Sequence, residues 1–160
     1  MKFGLSLLAA LCFAASTAHS HEYTKGDLQI IHPHSAATIS TAKSGVGYLA
    51  ISNLGVTDDR LIEIRSSVGN AMLHTTEVSA DGIARMTHLE NGILLPVGET
   101  VVLEPGGLHV MFFGLTEPFI EGQSFAATLV FEHAGETEIE FQIEPADPAP
   151  HDHSTAKDGS

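Results

Sequence analysis

A histidine and a methionine two positions apart, His109 and Met111, follow directly after the glycine turn Pro105-Gly106-Gly107. The residues around them predict a short strand, in which side chains at i and i+2 lie on one face. His109 and Met111 therefore point one way, while Val110 and Phe112 point the other. An imidazole beside a thioether is half of a site for a soft metal ion, above all Cu(I). The alternative is that Met111 fills the core and His109 lies at the surface.

A second histidine and methionine, His74 and Met86, belong to two predicted strands that flank Asp81-Gly82 and should form a hairpin. A two-residue turn on Asp81-Gly82 would put Met86 on the face away from His74. A loop with an odd number of residues would instead set Met86 opposite His74 on one face. Met72 shares the face of His74, and His88 shares that of Met86, because each is two residues away. The sequence leaves the register open.

The elements that must position these side chains are predicted to be strands. Apolar and polar residues alternate in short runs, and turn signals recur at intervals typical of an all-β domain. No stretch has the period of a long amphipathic helix. These patterns predict an antiparallel β-sandwich. The predicted strands are 28–32, 47–53, 60–66, 71–78, 83–89, 100–103, 109–113, 124–132 and 138–143.

The two ends of the chain are predicted to lie outside this domain. Residues 1–20 combine a basic start, an apolar run and small residues before position 21, which is the pattern of a cleaved secretory signal peptide. The apolar run is too short for a membrane span. Residues 21–144 form the domain. Residues 145–160 are rich in proline, charge and small side chains and are predicted to be a disordered tail.

The one cysteine, Cys12, lies inside the predicted signal peptide and follows Leu11. A lipid-attachment signal requires a small residue at the position of Leu11, so we expect no lipid on this chain. Without Cys12 the mature protein has no disulfide, no thiolate nucleophile and no thiolate metal site.

The composition excludes several classes of function. Twenty acidic and seven basic residues give a net charge of −13, which makes nucleic acid and anionic lipid surfaces poor partners. We expect no membrane insertion after removal of the signal peptide. The length fits one domain, which we expect to be a monomer. No nucleophile–base pair, phosphate loop or carboxylate pair stands out, so an enzyme is not predicted.

The spacing of the candidate ligands resembles the signature of the periplasmic copper chaperone family called PCuAC. Eleven residues separate His74 from Met86, and twenty-two separate Met86 from His109-Val110-Met111. The resemblance extends over about residues 21–144. Matching words elsewhere in the chain include His21-Glu22-Tyr23, Gly26-Asp27-Leu28, His32-Pro33, Gly47-Tyr48-Leu49, Leu95-Pro96-Val97-Gly98 and Leu103-Glu104-Pro105-Gly106-Gly107.

The resemblance implies a cupredoxin-like, Greek-key β-sandwich that binds one Cu(I) through two histidines and two methionines. Carried over residue by residue, the ligands are His74, Met86, His109 and Met111. Members of the family look like carriers of copper to cytochrome oxidase assembly, especially the Cu(A) centre, or to general periplasmic copper handling. The implied partner is a copper-accepting oxidase subunit or assembly factor.

The chain departs from the family pattern at several positions. Thr76 and Ala84 stand where many members have methionine, which leaves Met72 as the remaining substitute thioether. His34 replaces a more usual aromatic residue, and neither His34 nor His32 is predicted to be a ligand. None of these departures removes a core ligand.

The remaining polar residues are predicted to be less specific. His88 is either a ligand, a neighbour that orients a ligand, or an exposed residue. His133 is predicted to lie in a solvated turn. Asp58-Asp59 and the glutamates Glu136, Glu138 and Glu140 are predicted to form solvated surface.

Two functions of other classes compete with a chaperone. The first is a metal-buffering protein, whose flexible ends collect ions and which has no dedicated acceptor. The second is a β-sandwich interaction module whose histidines bind no metal. Cu(I) stoichiometry and affinity separate the second from the others, and transfer to a cysteine-bearing acceptor separates a chaperone from a buffer.

The ends of the mature chain predict a second, weaker copper site that prefers Cu(II). Cleavage after Ser20 exposes His21, whose amine and imidazole can chelate one ion. Cleavage after Ala18 puts His21 third, where it can complete a square-planar nitrogen site, the geometry Cu(II) prefers. The tail histidines His151 and His153 can add imidazoles, because a flexible tail of this length can reach the domain.

The terminal site is tested by titrating Cu(II) into three forms of the mature protein: intact, without the tail, and with one extra N-terminal residue. We expect both altered forms to bind Cu(II) more weakly, and binding to fail below about pH 6, where protons compete for imidazole and amine. Equal binding by all three forms would exclude the ends as the site.

Overall fold

Short runs of alternating residues form eleven β-strands in the computed structural model, which describes residues 22–146. Those residues contain no helix, and therefore none long and apolar enough to cross a membrane. The predicted signal peptide and most of the predicted tail lie outside them. The strands are β1 (Glu22–Lys25), β2 (Leu28–Ala36), β3 (Ser44–Asn53), β4 (Asp59–Ser66), β5 (Asn70–Val78), β6 (Ala84–His88), β7 (Ile93–Leu95), β8 (Thr100–Leu103), β9 (Leu108–Phe113), β10 (Ser124–Phe131) and β11 (Gly135–Glu144).

All nine predicted strands are present, and the all-β prediction is confirmed within the described residues. Two short strands, β1 and β7, were not predicted. The four residues of β1 are mostly polar, and the three of β7 are too few to establish an alternation. Both are held by pairing with a longer strand, which local sequence does not reveal.

The strands form one continuous path in the order β6-β5-β9-β3-β2-β11-β10-β4-β7, with β1 beside β2 and β8 beside β3. The path closes over itself as a sandwich, because β5 near one end lies against β4 near the other. Nine of the ten pairings are antiparallel, and β11 with β2 is parallel. The fold is therefore the predicted sandwich with one parallel pair added.

The inner face of β9 fixes this strand in the core. Val110 and Phe112 are fully buried, and Phe112 lies edge-on to Phe125 and Phe141, with ring centroids 5.0 and 5.5 Å apart. On the neighbouring strand β3, a Cβ at Gly47 would lie 2.8 Å from both Phe112 and Phe141, so a side chain there would displace the rings. Because alternate residues face opposite ways, this packing holds the other face of β9 in place.

A β-bulge interrupts β2 at the point where that strand changes partner. Residues 28–31 pair with β1 on one edge, and residues 34–36 pair with β11 on the same edge. Between them, three steps along β2 from Ile31 to His34 match two along β3, so one residue is extra. His32, inside the bulge, has φ +49°, a conformation that costs a residue other than glycine about 1–3 kcal/mol.

Asp59 corrects one prediction, because its side chain is buried rather than solvated. Its carboxylate accepts hydrogen bonds from the backbone N–H groups of Arg60, His133 and Ala134, at 2.7, 3.0 and 2.9 Å. These bonds tie the start of β4 to the turn between β10 and β11. Asp58 is exposed as predicted, and it accepts one bond from the Val97 N–H at 2.8 Å.

Replacing Asp59 with alanine should therefore destabilise the domain far more than replacing Asp58. Asp59→Ala leaves three backbone donors without their acceptor, and we expect a loss of about 2–4 kcal/mol in the free energy of unfolding. Asp58→Ala removes one solvent-exposed bond and should cost less than about 1 kcal/mol. Urea unfolding of the two variants measures the difference. Equal midpoints for both would contradict the structural role of Asp59.

Candidate metal centre

The candidate ligands lie on the outward face of three adjacent strands, β6, β5 and β9. His74 of β5 stands directly across from His88 of β6 on one side and from His109 of β9 on the other. Three imidazoles therefore form a row across the sheet. The ring centroid of His74 is 5.3 Å from that of His88 and 5.9 Å from that of His109.

The hairpin between β5 and β6 has the odd loop that a shared face requires. Five residues, 79–83, connect the strands, and Met86 lies on the face of His74. The register itself matches neither of the two pairings that the sequence left open. Met86 stands opposite Thr76, and His88 takes the place opposite His74. The loop begins with Ser79, whose N–H donates to the Ile83 carbonyl, and this bond closes the hairpin.

The backbone of the glycine turn orients the imidazole of His109. The Gly107 carbonyl lies 2.9 Å from Nδ1 of His109 and also accepts the N–H of Thr76 at 3.0 Å. Because a carbonyl oxygen only accepts, Nδ1 of His109 carries the proton and its Nε2 carries the lone pair. A ring held in this way is the usual arrangement of a metal-binding histidine.

Two imidazole nitrogens in the row are buried and have no hydrogen-bond partner. They are Nδ1 of His74 and Nε2 of His109, and they are the two such side-chain atoms found in residues 22–146. The two residues are only 8% and 4% exposed. A buried polar atom without a partner costs about 1–3 kcal/mol. A metal ion would satisfy both atoms, so the donor set fits a bound metal.

Burial also sets the protonation state of His74. It lowers the pKa of the imidazole below its ordinary value, and the neighbouring His88 and His109 lower it further. The Met72 backbone opposes this lowering of the pKa, but its effect is small because Nδ1 of His74 has no hydrogen-bond partner. The neutral form, which is the form that binds metal, is therefore favoured.

The thioethers lie on both sides of the imidazole row, two residues away along the strands. Met111 stands across from Met72 on one side, and both are half-buried. Met86 lies on the other side and is 54% exposed. On an untwisted sheet the Cα atoms of Met86 and Met111 would be roughly 16 Å apart, too far for both sulfurs to reach one ion. Curling of the β5–β6 hairpin over the row would bring the Met86 sulfur closer to His74 and His109. Met72 is the thioether that already lies beside Met111.

His88, for which the sequence left three roles open, lies directly beside His74. Its Nδ1 lies 3.0 Å from the Leu73 carbonyl, which leaves Nε2 free beside His74. Only the register of the hairpin reveals this position. Phe113 also borders the row, with its ring edge-on to His74 at 6.0 Å.

Other predicted residues lie away from the row or outside the described chain. His133 is exposed in the turn before β11, as predicted. Glu136, Glu138 and Glu140 are exposed as predicted. The terminal residues His21, His151 and His153 lie outside the described residues.

Comparisons with known proteins place the chain in a family. The family model described as "Putative lipoprotein LpqE-like" matches residues 28–143. A protein of Leifsonia xyli subsp. xyli, also described as a putative lipoprotein, is 33% identical over 100 residues. That match covers 61% of this chain and 60% of the relative, so the chain spans less than two thirds of that relative's length.

Solved structures with the same fold are PCuAC domains. The apo PCuAC domain from PmoF1 is 30% identical, with a TM-score of 0.66, and the match covers 78% of this chain and 99% of that domain. The copper-bound PCuAC domain from PmoF2 is 28% identical with the same TM-score, over 78% and 98%. CuI-DR1885 from Deinococcus radiodurans shares the fold at 20% identity, with a TM-score of 0.59, over 81% and 83%. The chain belongs to the LpqE-like family, and the predicted kinship with PCuAC copper chaperones is confirmed.

Proposed function

We propose that this protein is an exported copper chaperone that binds one Cu(I) and delivers it to a protein acceptor. The proposed ligands are His74, Met86, His109 and Met111. The observation that carries the proposal is the pair of buried imidazole nitrogens without partners, which lie in one row with thioethers on both sides of it. The copper-bound state of the related PmoF2 domain supports it.

The chemistry of this donor set favours Cu(I) over other ions. Imidazoles and thioethers are neutral, and thioethers are soft ligands that suit a monovalent d10 ion. Zn²⁺ binds thiolate, imidazole and carboxylate in preference to thioether. A blue-copper centre requires a cysteine ligand, and Cys12 lies in the predicted signal peptide.

The accessibility of the ligands fits a carrier that must also release its metal. The imidazoles of His74 and His109 are buried, whereas Met86 is the most exposed of the proposed ligands. A cysteine-bearing acceptor can approach the ion from the side of Met86 and offer a thiolate, which binds Cu(I) more strongly than a thioether does. The proposed acceptor is an oxidase subunit or assembly factor that receives copper for a Cu(A) centre, or general copper handling in the same compartment.

Export to the periplasm is part of the proposal. The predicted signal peptide in residues 1–20 supports it, as does the description of the related proteins as lipoproteins. A buffering protein without a dedicated acceptor remains the second candidate function, favoured by the ten histidines of the chain. No catalytic role is proposed for the site.

Cu(I) affinity should depend on His109 and Met111 in particular. Replacing His109 with alanine or Met111 with leucine removes a ligand without adding charge, and we expect the Cu(I) affinity to fall about a hundredfold or more. Competition with a chromophoric Cu(I) chelator measures the affinity, and circular dichroism checks that the β fold is retained. His133→Ala, in an exposed turn, is the matched control. Unchanged affinity in the double variant His109→Ala/Met111→Leu would refute the proposed site.

The same assay separates the two thioethers that can complete the site. If the hairpin curls over the row, Met86→Leu should weaken Cu(I) binding and Met72→Leu should not. If Met72 is the fourth ligand, the order is reversed. Unchanged affinity in the double variant Met72→Leu/Met86→Leu would contradict a four-ligand site containing two thioethers.

Oxidation of the methionines gives a second, independent measurement. Thioethers are converted by mild peroxide to sulfoxides, which are poorer Cu(I) ligands, and susceptibility follows exposure. Met86 should therefore oxidise fastest in the metal-free protein. Bound Cu(I) should protect Met86 and Met111 more than Met72, which mass spectrometry of peptides resolves. Equal rates for all three with and without Cu(I) would count against the assigned roles.

Transfer distinguishes a chaperone from a buffer. The Cu(I)-loaded protein should transfer its copper to a cysteine-bearing oxidase domain faster than a free Cu(I)–chelator complex of equal affinity does. Equal rates would favour buffering.

A further inference from the structure

A second group of metal-ligating side chains lies on β2 and β11, separate from the imidazole row. It consists of His32, His34 and Glu144, whose ligand atoms all lie within 4.8 Å of one another. Nε2 of His32 is 3.0 Å from Oε1 of Glu144, and the rings of His32 and His34 have centroids 4.6 Å apart. Within residues 22–146, these three side chains are the one group of three or more histidine, cysteine or acidic residues whose ligand atoms lie this close together.

The two histidines lie at the bulge in β2. In a regular strand, His32 and His34 would share a face, but Ile31 and His34 here both face the same way because of the extra residue. His32 therefore falls within the bulge, with a φ of +49°, and its ring lies beside that of His34. Glu144 of β11 pairs with Ala36, two residues from His34, so it joins them on that face.

The hydrogen bonds leave the correct nitrogen of His34 free. Its Nδ1 lies 3.0 Å from the His32 carbonyl oxygen, which only accepts, so Nδ1 carries the proton. Nε2 of His34 is then the atom with the lone pair. A ring nitrogen donating to a backbone carbonyl is a common way to orient a metal-binding histidine.

The spacing fits a first-row divalent ion. Ligands about 2.0–2.1 Å from a tetrahedral metal lie roughly 3.3 Å from each other, close to the His32–Glu144 distance. Two histidines and a glutamate form a three-ligand set with one position open. Imidazole and carboxylate suit Zn²⁺ and Cu²⁺, and affinity for such a site favours Cu²⁺. Without a metal, His32 and Glu144 form an exposed imidazole–carboxylate contact, which stabilises little.

We propose that His32, His34 and Glu144 bind a divalent first-row transition-metal ion, Cu(II) more tightly than Zn(II). The site has its own ligands and does not depend on the proposed Cu(I) function. The glycine turn borders both sites: Pro105 lines the same cavity as His34 and Glu144, whereas the Gly107 carbonyl orients His109.

The backbone of His32 makes an unusually clean test possible. Glycine adopts positive φ without strain, so His32→Gly removes the imidazole while leaving the bulge at least as stable. His32→Asn is a second such variant, because asparagine tolerates this conformation better than most residues. Glu144→Gln removes the charge at nearly constant shape.

The experiment uses the mature chain with His21, His151 and His153 changed to glutamine, so that terminal histidines do not compete. Zn(II) is the first probe, and two-dimensional ¹H–¹⁵N NMR of the imidazoles identifies which rings bind. Nε2 of His32 and His34 should shift with one equivalent of Zn(II). Competition with Cu(II) should then displace the Zn(II) from these rings.

His32→Gly, His32→Asn and Glu144→Gln should each lower the Zn(II) affinity of this site on the order of a hundredfold. Their melting temperatures and Cu(I) affinities should stay at parental values, with His32→Gly melting at the same or a higher temperature. Absence of Zn(II)-induced shifts in His32 and His34, or parental affinity in all three variants, would overturn the proposal and leave only an exposed imidazole–carboxylate contact. Loss of Cu(I) binding in the same variants would also overturn it, since the effect would then not be confined to this site.

Discussion

The pairing of β5 with β9 in a single register is the constraint on which the metal centre depends. His74 faces His109 only because Leu73 faces Val110 on the buried side, and a slip of one residue would exchange the two faces of a strand. The cost of exposing Val110 and Phe112, both fully buried, excludes such a slip. The apolar core thus determines where the polar ligands stand, although none of its side chains has metal-binding chemistry.

Holding imidazoles ready for a metal lowers the stability of the metal-free fold. The two partnerless nitrogens of His74 and His109 each cost about 1–3 kcal/mol, which a bound ion would recover. Burial also keeps His74 neutral by lowering its pKa, so that fewer protons compete with a metal. Under the proposed function, the buried imidazoles provide selectivity and affinity, while the exposed thioether of Met86 provides the route by which copper leaves.

The sequence predicted those features that depend on the period of a strand. The shared face of His109 and Met111 follows from residues two apart, and the family spacing follows from residues that can be counted. The register of the hairpin did not follow, because Asp81-Gly82 is compatible with loops of several lengths and the five-residue loop is closed by Ser79. Asp59 was wrongly predicted to be solvated, because two of the N–H groups that donate hydrogen bonds to it belong to residues more than seventy positions later.

The bulge at His32 shows how backbone conformation can carry information that a residue pattern does not. A regular period predicts that positions 32 and 34 are ordinary neighbours on one strand, and the partner change of β2 from β1 to β11 is not visible in local sequence. The fold itself needs only a residue that tolerates positive φ there, and glycine would do so without strain. The contact between His32 and Glu144 is exposed to solvent, so it offsets little of the strain energy at His32. A divalent ion shared with His34 and Glu144 would therefore give the imidazole at position 32 a role that this exposed contact does not.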